Sequence, residues 1–457
     1  MRFPTTRVVV AAIGACMFLV PATASATSTE EQIKTARDNG VTYLKSLQKE
    51  NGEIAGFGGD WSLTSLAAAG VAAADVHKTE GSTNARTWYK NLVGEASWPG
   101  GSPVVTDFER AALIAYAAGI DPARVSKRQN LIARIASFYT GTPGYYGSTL
   151  NGTVFALLAL ADAKTTTGIQ RVPQIVIEQA IEAVKANQHK DGGWTWEKAE
   201  SEEALNKESE PDMTGAAMAA LCDAGVPSSD KAIVNAKKYL GSIMVETSGA
   251  FAYPLGINTD SNAWAVDGLK ACEIDPQKEP FYTEAFKKTP IDFLISQQVS
   301  GGGFRYLTSG STPEPYASQD AVRALGSGSF TADPPKPASA PQWEAVTEFG
   351  TKATETAPLA LIIDNGGALK ICSVSLAPGA KTTTLAKVLE AAVKATTPAG
   401  CVTGFLPASG EGAITQINKF PEPEKAEWNI QINGGAKKQA KRNTEIKVGD
   451  TIYLKYQ

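Results

Sequence analysis

This 457-residue sequence predicts a mainly α chain: a ring of six helical hairpins, an α/α toroid, followed by a small, mostly β C-terminal domain. Three observations lead there. Six Ala/Leu-rich runs alternate with six longer amphipathic segments. A Gly-aromatic string returns roughly every 55 residues between the two kinds of run. Beyond a Pro/Ala-rich stretch, the apolar residues change from helical spacing to strand alternation.

The six apolar runs are WSLTSLAAAGV from Trp61, DFERAALIAYAAGI from Asp107, LNGTVFALLALADA from Leu150, DMTGAAMAALCDAGV from Asp212, SNAWAVDGLKACEI from Ser261 and ASQDAVRALGSG from Ala317. Small and apolar on most faces, they suit helices buried all round. Each follows a segment with charge on one face, such as QIVIEQAIEAVKANQ or KAIVNAKKYLGSIM. Gly119 and Gly225 suit left-handed caps at the ends of apolar runs, and Asp121-Pro122 suits the start of the next helix. Six such pairs is the number that closes a toroid with the buried helices inside; an open superhelix is the structural alternative.

The links DGGWTW (Asp191–Trp196), GAFAY (Gly249–Tyr253) and GGFRY (Gly302–Tyr306) join outer to inner helices, so they gather at one end of the ring. Their aromatics are expected to staple the turn down, with some lining a ligand cavity. The same end collects the N-termini of the inner helices, with unpaired N–H groups and partial positive charge. Polar residues at those starts are Asp107, Asn151, Asp212, Thr214, Ser261, Asn262, Ser318 and Gln319. Amides such as Asn262 and Gln319 offer donors and acceptors beyond what a cap requires, which suits a large neutral ligand with amide edges.

The predicted organisation is a leader at 1–26, the ring at 27–330, a linker at 331–345 containing TADPPKPASAPQ, and a ββαβββ domain at 346–457. The leader carries Arg2 and Arg7, thirteen apolar residues (VVVAAIGACMFLV) and an Ala24-Ser25-Ala26 cleavage pattern, and reads as a signal peptide cleaved near Ala26. Lipid attachment at Cys16 is the competing reading; the apolar residues after it disfavour that. Cleavage takes the net charge from −4 to −6. A soluble, secreted protein is expected, with a surface receptor left undefined. Its four remaining cysteines are disulfide candidates, Cys222 with Cys272 and Cys372 with Cys401.

Charge and composition exclude much. No long basic run points to nucleic acid, and no further stretch is apolar enough to span a membrane. Two histidines make a His-rich metal site or a Ser-His-Asp triad unpromising. The Asp-x-Asp-Asp acid of class II terpene cyclases is missing, with Asp260 and Asp267 seven apart. The zinc triad of protein prenyltransferases and the Gly-Cys-Gly-Glu-Gln thioester string are missing too. The acidic loop at 197–210 reads as a solvated charge run. The expectation is a protein without catalysis and without a metal site of its own.

The Gln-Gly-aromatic links QHKDGGW and QQVSGGGF resemble repeats of the prenyltransferase and squalene-cyclase superfamily. The toroid followed by a domain with Trp428, Asn433-Gly434 and IKVGDTIYLKY (Ile446–Tyr456) resembles the transcobalamin and intrinsic factor family more narrowly. GYYG (Gly144–Gly147), PDMTGAAMAAL, NTDSNAWAV and YASQDAVRAL agree with it. The resemblance implies an extracellular carrier with cobalamin, or another corrinoid, held between the two domains. It also implies ligand contacts from Tyr146, Asp212, Asn262 and Gln319 of the ring and Trp428 of the C-terminal domain. The loop Trp196–Pro211 has none of the histidine that one branch of that family offers to cobalt. A toroid enzyme of terpene-cyclase or polysaccharide-lyase type, and a cell-surface interaction module, are the alternatives.

Overall fold

The computed structural model describes residues 27–456 apart from 57, 96, 127–128, 253–255, 283–286, 345–357, 367–368, 376–381, 396–400, 408, 421–426 and 448. The leader, Cys16, Tyr253 and the start of the C-terminal domain at Val346 lie outside the described residues.

Twelve helices form the ring in six pairs. The outer members are α1 (Glu30–Ser46), α3 (Ala85–Gly94), α5 (Leu131–Ala136), α7 (Gln174–Ala186), α9 (Lys231–Ser242) and α11 (Pro290–Ser296). The inner ones are α2 (Ser62–Ala68), α4 (Val105–Ala117), α6 (Leu150–Ala161), α8 (Pro211–Asp223), α10 (Thr259–Ala271) and α12 (Pro315–Leu325). Local chemistry sets their starts. Thr29 and Gln32 make a capping box on α1, and Asn84, Asn130, Thr149, Asp230 and Asn258 cap later helices. Gly119 and Gly225 end α4 and α8 in the left-handed conformation, at φ 72° and 93°. Each inner helix packs on the next, and α12 packs on α2, so the ring is closed.

One bond recurs at the outer-to-inner links. At four of the links a buried aromatic donates its backbone N–H to a polar side chain in the first turn of the inner helix. Tyr146 donates to Thr153 Oγ1 at 3.2 Å, Trp194 to Thr214 Oγ1 at 3.0 Å, Phe251 to Asn262 Oδ1 at 2.6 Å and Phe304 to Ser318 Oγ at 2.8 Å. Asn262 also donates to the Asn258 carbonyl at 2.9 Å. These positions are scaffold, satisfying backbone groups that the turn has carried into the core.

A disulfide joins Cys222 to Cys272, at the C-terminal ends of the neighbouring helices α8 and α10. At that end the Pro/Ala segment is a strap, in place of the free linker its composition predicts. Ser327 bonds the Ala68 carbonyl, Thr331 bonds Asp223, Ala338 bonds Asp75, and Arg86 reaches the Pro341 carbonyl. Trp343 then packs edge-on against Tyr116, and Glu344 pairs with Lys90 at 2.9 Å. Phe330 turns inward from the strap and is fully buried. Proline-rich sequence cannot form its own ladder, so its backbone is held here by side chains of the ring.

The C-terminal domain has β1 (Pro358–Asp364), β2 (Leu369–Ser375), β3 (Thr382–Thr384), α13 (Leu385–Lys394), β4 (Phe405–Leu406), β5 (Gln416–Ile417), β6 (Trp428–Ile432), β7 (Lys438–Gln439), β8 (Glu445–Lys447) and β9 (Thr451–Tyr456). Its main sheet runs β2-β1-β9-β6-β7, with β1 and β9 parallel. β1 is buried along its whole length because both faces are covered. Leu359, Leu361 and Ile363 join Trp428, Leu389 and the Cys372–Cys401 disulfide in the domain's own core. Ala360, Ile362, Ile371 and Tyr453 face the ring, where α5 lies on β1 and β2.

Polar contacts fix that docking. Arg171 pairs with Asp121 at 2.5 Å, both about 3% exposed, and donates to Asn433 Oδ1 at 3.2 Å. Asn433 donates to Asp450 at 2.7 Å, and Arg124 lies 3.6 Å from Asp450. A Cβ at Gly434 would strike the Gln170 carbonyl, so the Asn433-Gly434 turn fits only with glycine.

Two outcomes are expected. Asn262→Ala leaves the Phe251 N–H buried without an acceptor and costs about 1–3 kcal/mol in urea unfolding; an unchanged midpoint would remove the staple role. Arg171→Ala strands Asp121 and costs about 3–5 kcal/mol. It should also separate the melting of ring and C-terminal domain in calorimetry, where a single unshifted transition would show that the pair does not join them.

Candidate functional site

The staple residues orient everything else at that end of the ring. Two residues before each staple side chain stand Asn151, Asp212, Asp260 and Tyr316; two after it stand Phe155, Ala216, Trp264 and Asp320. Positions four apart share a helix face, so these two sets form successive layers along each inner helix, beside the staple. One turn deeper come Asp267 and Arg323, from α10 and α12.

The deepest layer is closed. Phe330 meets Trp264 at 5.3 Å, Phe155 at 5.9 Å and Trp61 at 6.3 Å between ring centroids, so side chains from α6, α10, the strap and the segment before α2 meet across the axis. Arg323 lies 4.2 Å from the Phe330 ring, bonded to Asp267 at 2.8 Å and paired with Asp320 at 2.8 Å. A buried guanidinium needs such carboxylates and a ring face to offset its desolvation.

Above this floor lies a mouth of carboxyl groups and aromatic rings. Asp212, Asp260 and Asp320 converge from α8, α10 and α12. Burial pushes the Asp260 carboxyl up to about 9, helped by Asp320 and Asp212 and opposed by Arg323. Burial also raises Asp212 and Asp320. Burial first, and the neighbouring carboxyls second, disfavour a charge on Asp260, so at neutral pH it keeps its proton. Its Oδ1 has no partner, while Asp212 Oδ1 accepts from the Met213 N–H at 2.8 Å and its Oδ2 has a long bond from Ser261 Oγ at 3.4 Å.

The second aromatics of two links, Trp196 and Tyr306, stand at the rim. Trp196, two residues past buried Trp194, is 50% exposed, and its carbonyl accepts from Asn151 N–H at the start of α6. Tyr306, two past buried Phe304, holds the Thr259 N–H of α10 in the same way and packs on Tyr316 at 5.3 Å. These two links, at Trp194–Trp196 and Phe304–Tyr306, therefore each send one ring into the core and one towards the mouth.

The five residues implied by resemblance fare differently. Asp212 is in the mouth. Tyr146 is buried against Tyr139 at 5.6 Å, and Asn262 is buried in its staple. Gln319 is buried, with Nε2 lacking a partner and its carbonyl accepting from Ser65. Trp428 is buried in the C-terminal core, with the ring of Tyr456 5.9 Å away. That domain docks by way of the α4–α5 and α6–α7 connections, at the C-terminal ends of the inner helices. Trp428 therefore sits in the core of the C-terminal domain, while Asp212 stands at the start of α8. Sequence reading did not single out Asp320, Trp264 or Tyr316, while Trp196 and Tyr306 belong to the link aromatics expected either to staple the turn or to line a cavity. It passed over Asp260 because its carboxylate neighbours come from other helices rather than one string. The aromatic-x-aromatic spacing was the available signal. Among the described residues no group of three or more His, Cys, Asp or Glu is placed to hold a metal ion.

No protein-family model matches the chain, and no curated protein matches it in sequence. Among solved structures it is similar to the type II terpene cyclase MstE from Scytonema, at 13% identity over 65% of this chain and 98% of that one, with a TM-score of 0.46. It is similar to haptocorrin in complex with Cbi, at 12% identity over 93% and 97% of the chains, with a TM-score of 0.34. A glycosyl hydrolase of family 88 from Bacteroides vulgatus follows, at 12% identity over 65% and 98%, with a TM-score of 0.41. These are distant likenesses of chain path, and the chemistry of the mouth rests on this chain's own residues.

Asp260 holds its proton more tightly folded than unfolded, where its ordinary value is 3.8. Its contribution to stability is therefore full below about pH 4 and is lost as pH rises towards 9. Asp260→Asn should remove that slope, so the melting-temperature difference between variant and wild type grows from pH 4 to pH 9. A constant difference would show an ordinary carboxylate.

Proposed function

We propose that the chain is an exported, non-catalytic binding protein that takes a broad, flat ligand rich in amide donors, a corrinoid such as cobalamin, onto the mouth of the ring. One observation carries this reading: carboxyl oxygens with unused acceptor capacity, on Asp212 and Asp260, stand among the exposed or half-exposed rings of Trp196, Tyr306, Tyr316 and Trp264. Carboxylates accept from amide N–H₂ groups and aromatic faces cover the apolar body of a macrocycle. The site is the mouth alone rather than a space between domains. Two disulfides support an oxidising compartment, and no helix among the described residues is long and apolar enough to cross a membrane.

A second reading, a toroid enzyme, is favoured by the protonated Asp260, a ready general acid. The rings that meet across the axis count against a buried isoprenoid chain, which leaves polysaccharide chemistry at the rim as its strongest form.

Mixing the chain from Thr27 onward with aquo- or cyanocobalamin, then desalting, should give a protein peak with corrin absorbance near one per chain. Asp212→Ala and Tyr306→Ala should each weaken binding about tenfold, roughly 1.4 kcal/mol, without moving the melting temperature. A colourless peak would remove the corrinoid, and new ultraviolet absorbance on an acidic polysaccharide would favour the enzyme.

A further inference from the structure

A separate cavity lies in the crease where the outer wall of the ring meets the C-terminal domain. It encloses about 570 Å³ and is lined by Arg134 and Ser137 at the end of α5, Ser373 and Ser375 of β2, and Lys394 of α13. Among the described residues its lining therefore holds two cations, three hydroxyls and no carboxylate.

Arg134 is the informative residue. Its Nε is buried with no hydrogen-bond partner, and no carboxylate among the described residues pairs with it. Burial alone pulls its pKa down, with no anion to oppose the shift. The Phe108 ring, 5.9 Å away, covers the guanidinium face but takes none of its N–H donors. Two fully buried arginines are paired with carboxylates, Arg171 with Asp121 and Arg323 with Asp267 and Asp320, whereas half-buried Arg134 has none. A guanidinium partly taken from water, with an idle Nε, gains from an anion that completes it. Lys394 brings a second charge to the same cavity, and serine hydroxyls donate readily to an oxyanion.

We propose that this crease is an oxyanion site, taking a phosphate group on the fork of Arg134, with Lys394 and the hydroxyls of Ser373 and Ser375 completing its shell. The volume exceeds that of phosphate itself, so a phosphomonoester of a small polar molecule fits as well as the free ion. Because Arg134 belongs to the ring while Lys394 and both serines of β2 belong to the C-terminal domain, the anion would bridge the two. The site is independent of whatever the mouth binds.

The test is thermal unfolding of the chain from Thr27 onward at constant ionic strength, exchanging sodium chloride for sodium phosphate, with glycerol phosphate in a parallel series. The expected result is a saturable rise in melting temperature with phosphate that chloride does not give. Arg134→Leu, which keeps the packing on Phe108, should abolish the rise, and Lys394→Ala should weaken the apparent affinity about tenfold. A stronger response to glycerol phosphate than to phosphate would identify an esterified ligand; an equal response would identify the free anion. If phosphate and chloride act alike on the wild type, or if the rise survives in Arg134→Leu, the proposal is overturned. Should Arg134→Leu fail to fold, Lys394→Ala and Ser373→Ala decide, and an unchanged phosphate affinity in both overturns it.

Discussion

The ring depends on a small hydrogen bond made repeatedly. Turning from an outer to an inner helix carries an aromatic side chain, and with it an amide N–H, into a space without water. An unpaired N–H there would cost about as much as the packing of a side chain contributes. Thr153, Thr214, Asn262 and Ser318 each accept that N–H from the first turn of the inner helix. Once the bond is made, the azimuth of each of these four inner helices is set, and with it which residues look along the axis. Mouth and scaffold are thus adjacent faces of one helical turn.

The lumen illustrates how charge is tolerated in such a place. Arg323 is enclosed by the ring, yet two carboxylates and the Phe330 face surround it, so the deepest layer is balanced. The imbalance moves upward. Asp212 and Asp260 have no cation of their own, and one carboxyl answers by keeping its proton. An enzyme would use such a proton; a carrier would use the acceptor oxygens beside it.

Much of the fold was legible. The alternation of buried and amphipathic runs gave twelve helices in six pairs because an inner helix of a ring is covered on all sides and has no polar face to write. Both disulfides were legible, since Cys222 and Cys272 end equivalent runs. The site was less so. Asn262 looked like a ligand contact because an amide exceeds what capping requires, but sequence does not say that a turn eleven residues away will claim both its ends; here Phe251 does. Asp260 was set aside because an acid dyad was sought within one string, while a ring draws neighbours from separate helices. Thr331–Gln342 read as a free linker because proline content reports only the absence of ladders, not the side chains that arrive from elsewhere.

Phe330 has a consequence for traffic. A ring of helices open at both ends is a pipe, in which a guest could enter at one side and leave at the other. Here the strap crosses one end and its phenyl ring stops the bore beneath Trp264 and Phe155. The vessel has a bottom. Whatever settles on the rim must depart by the way it came, so arrival and release share one doorway, and anything that covers the doorway slows both.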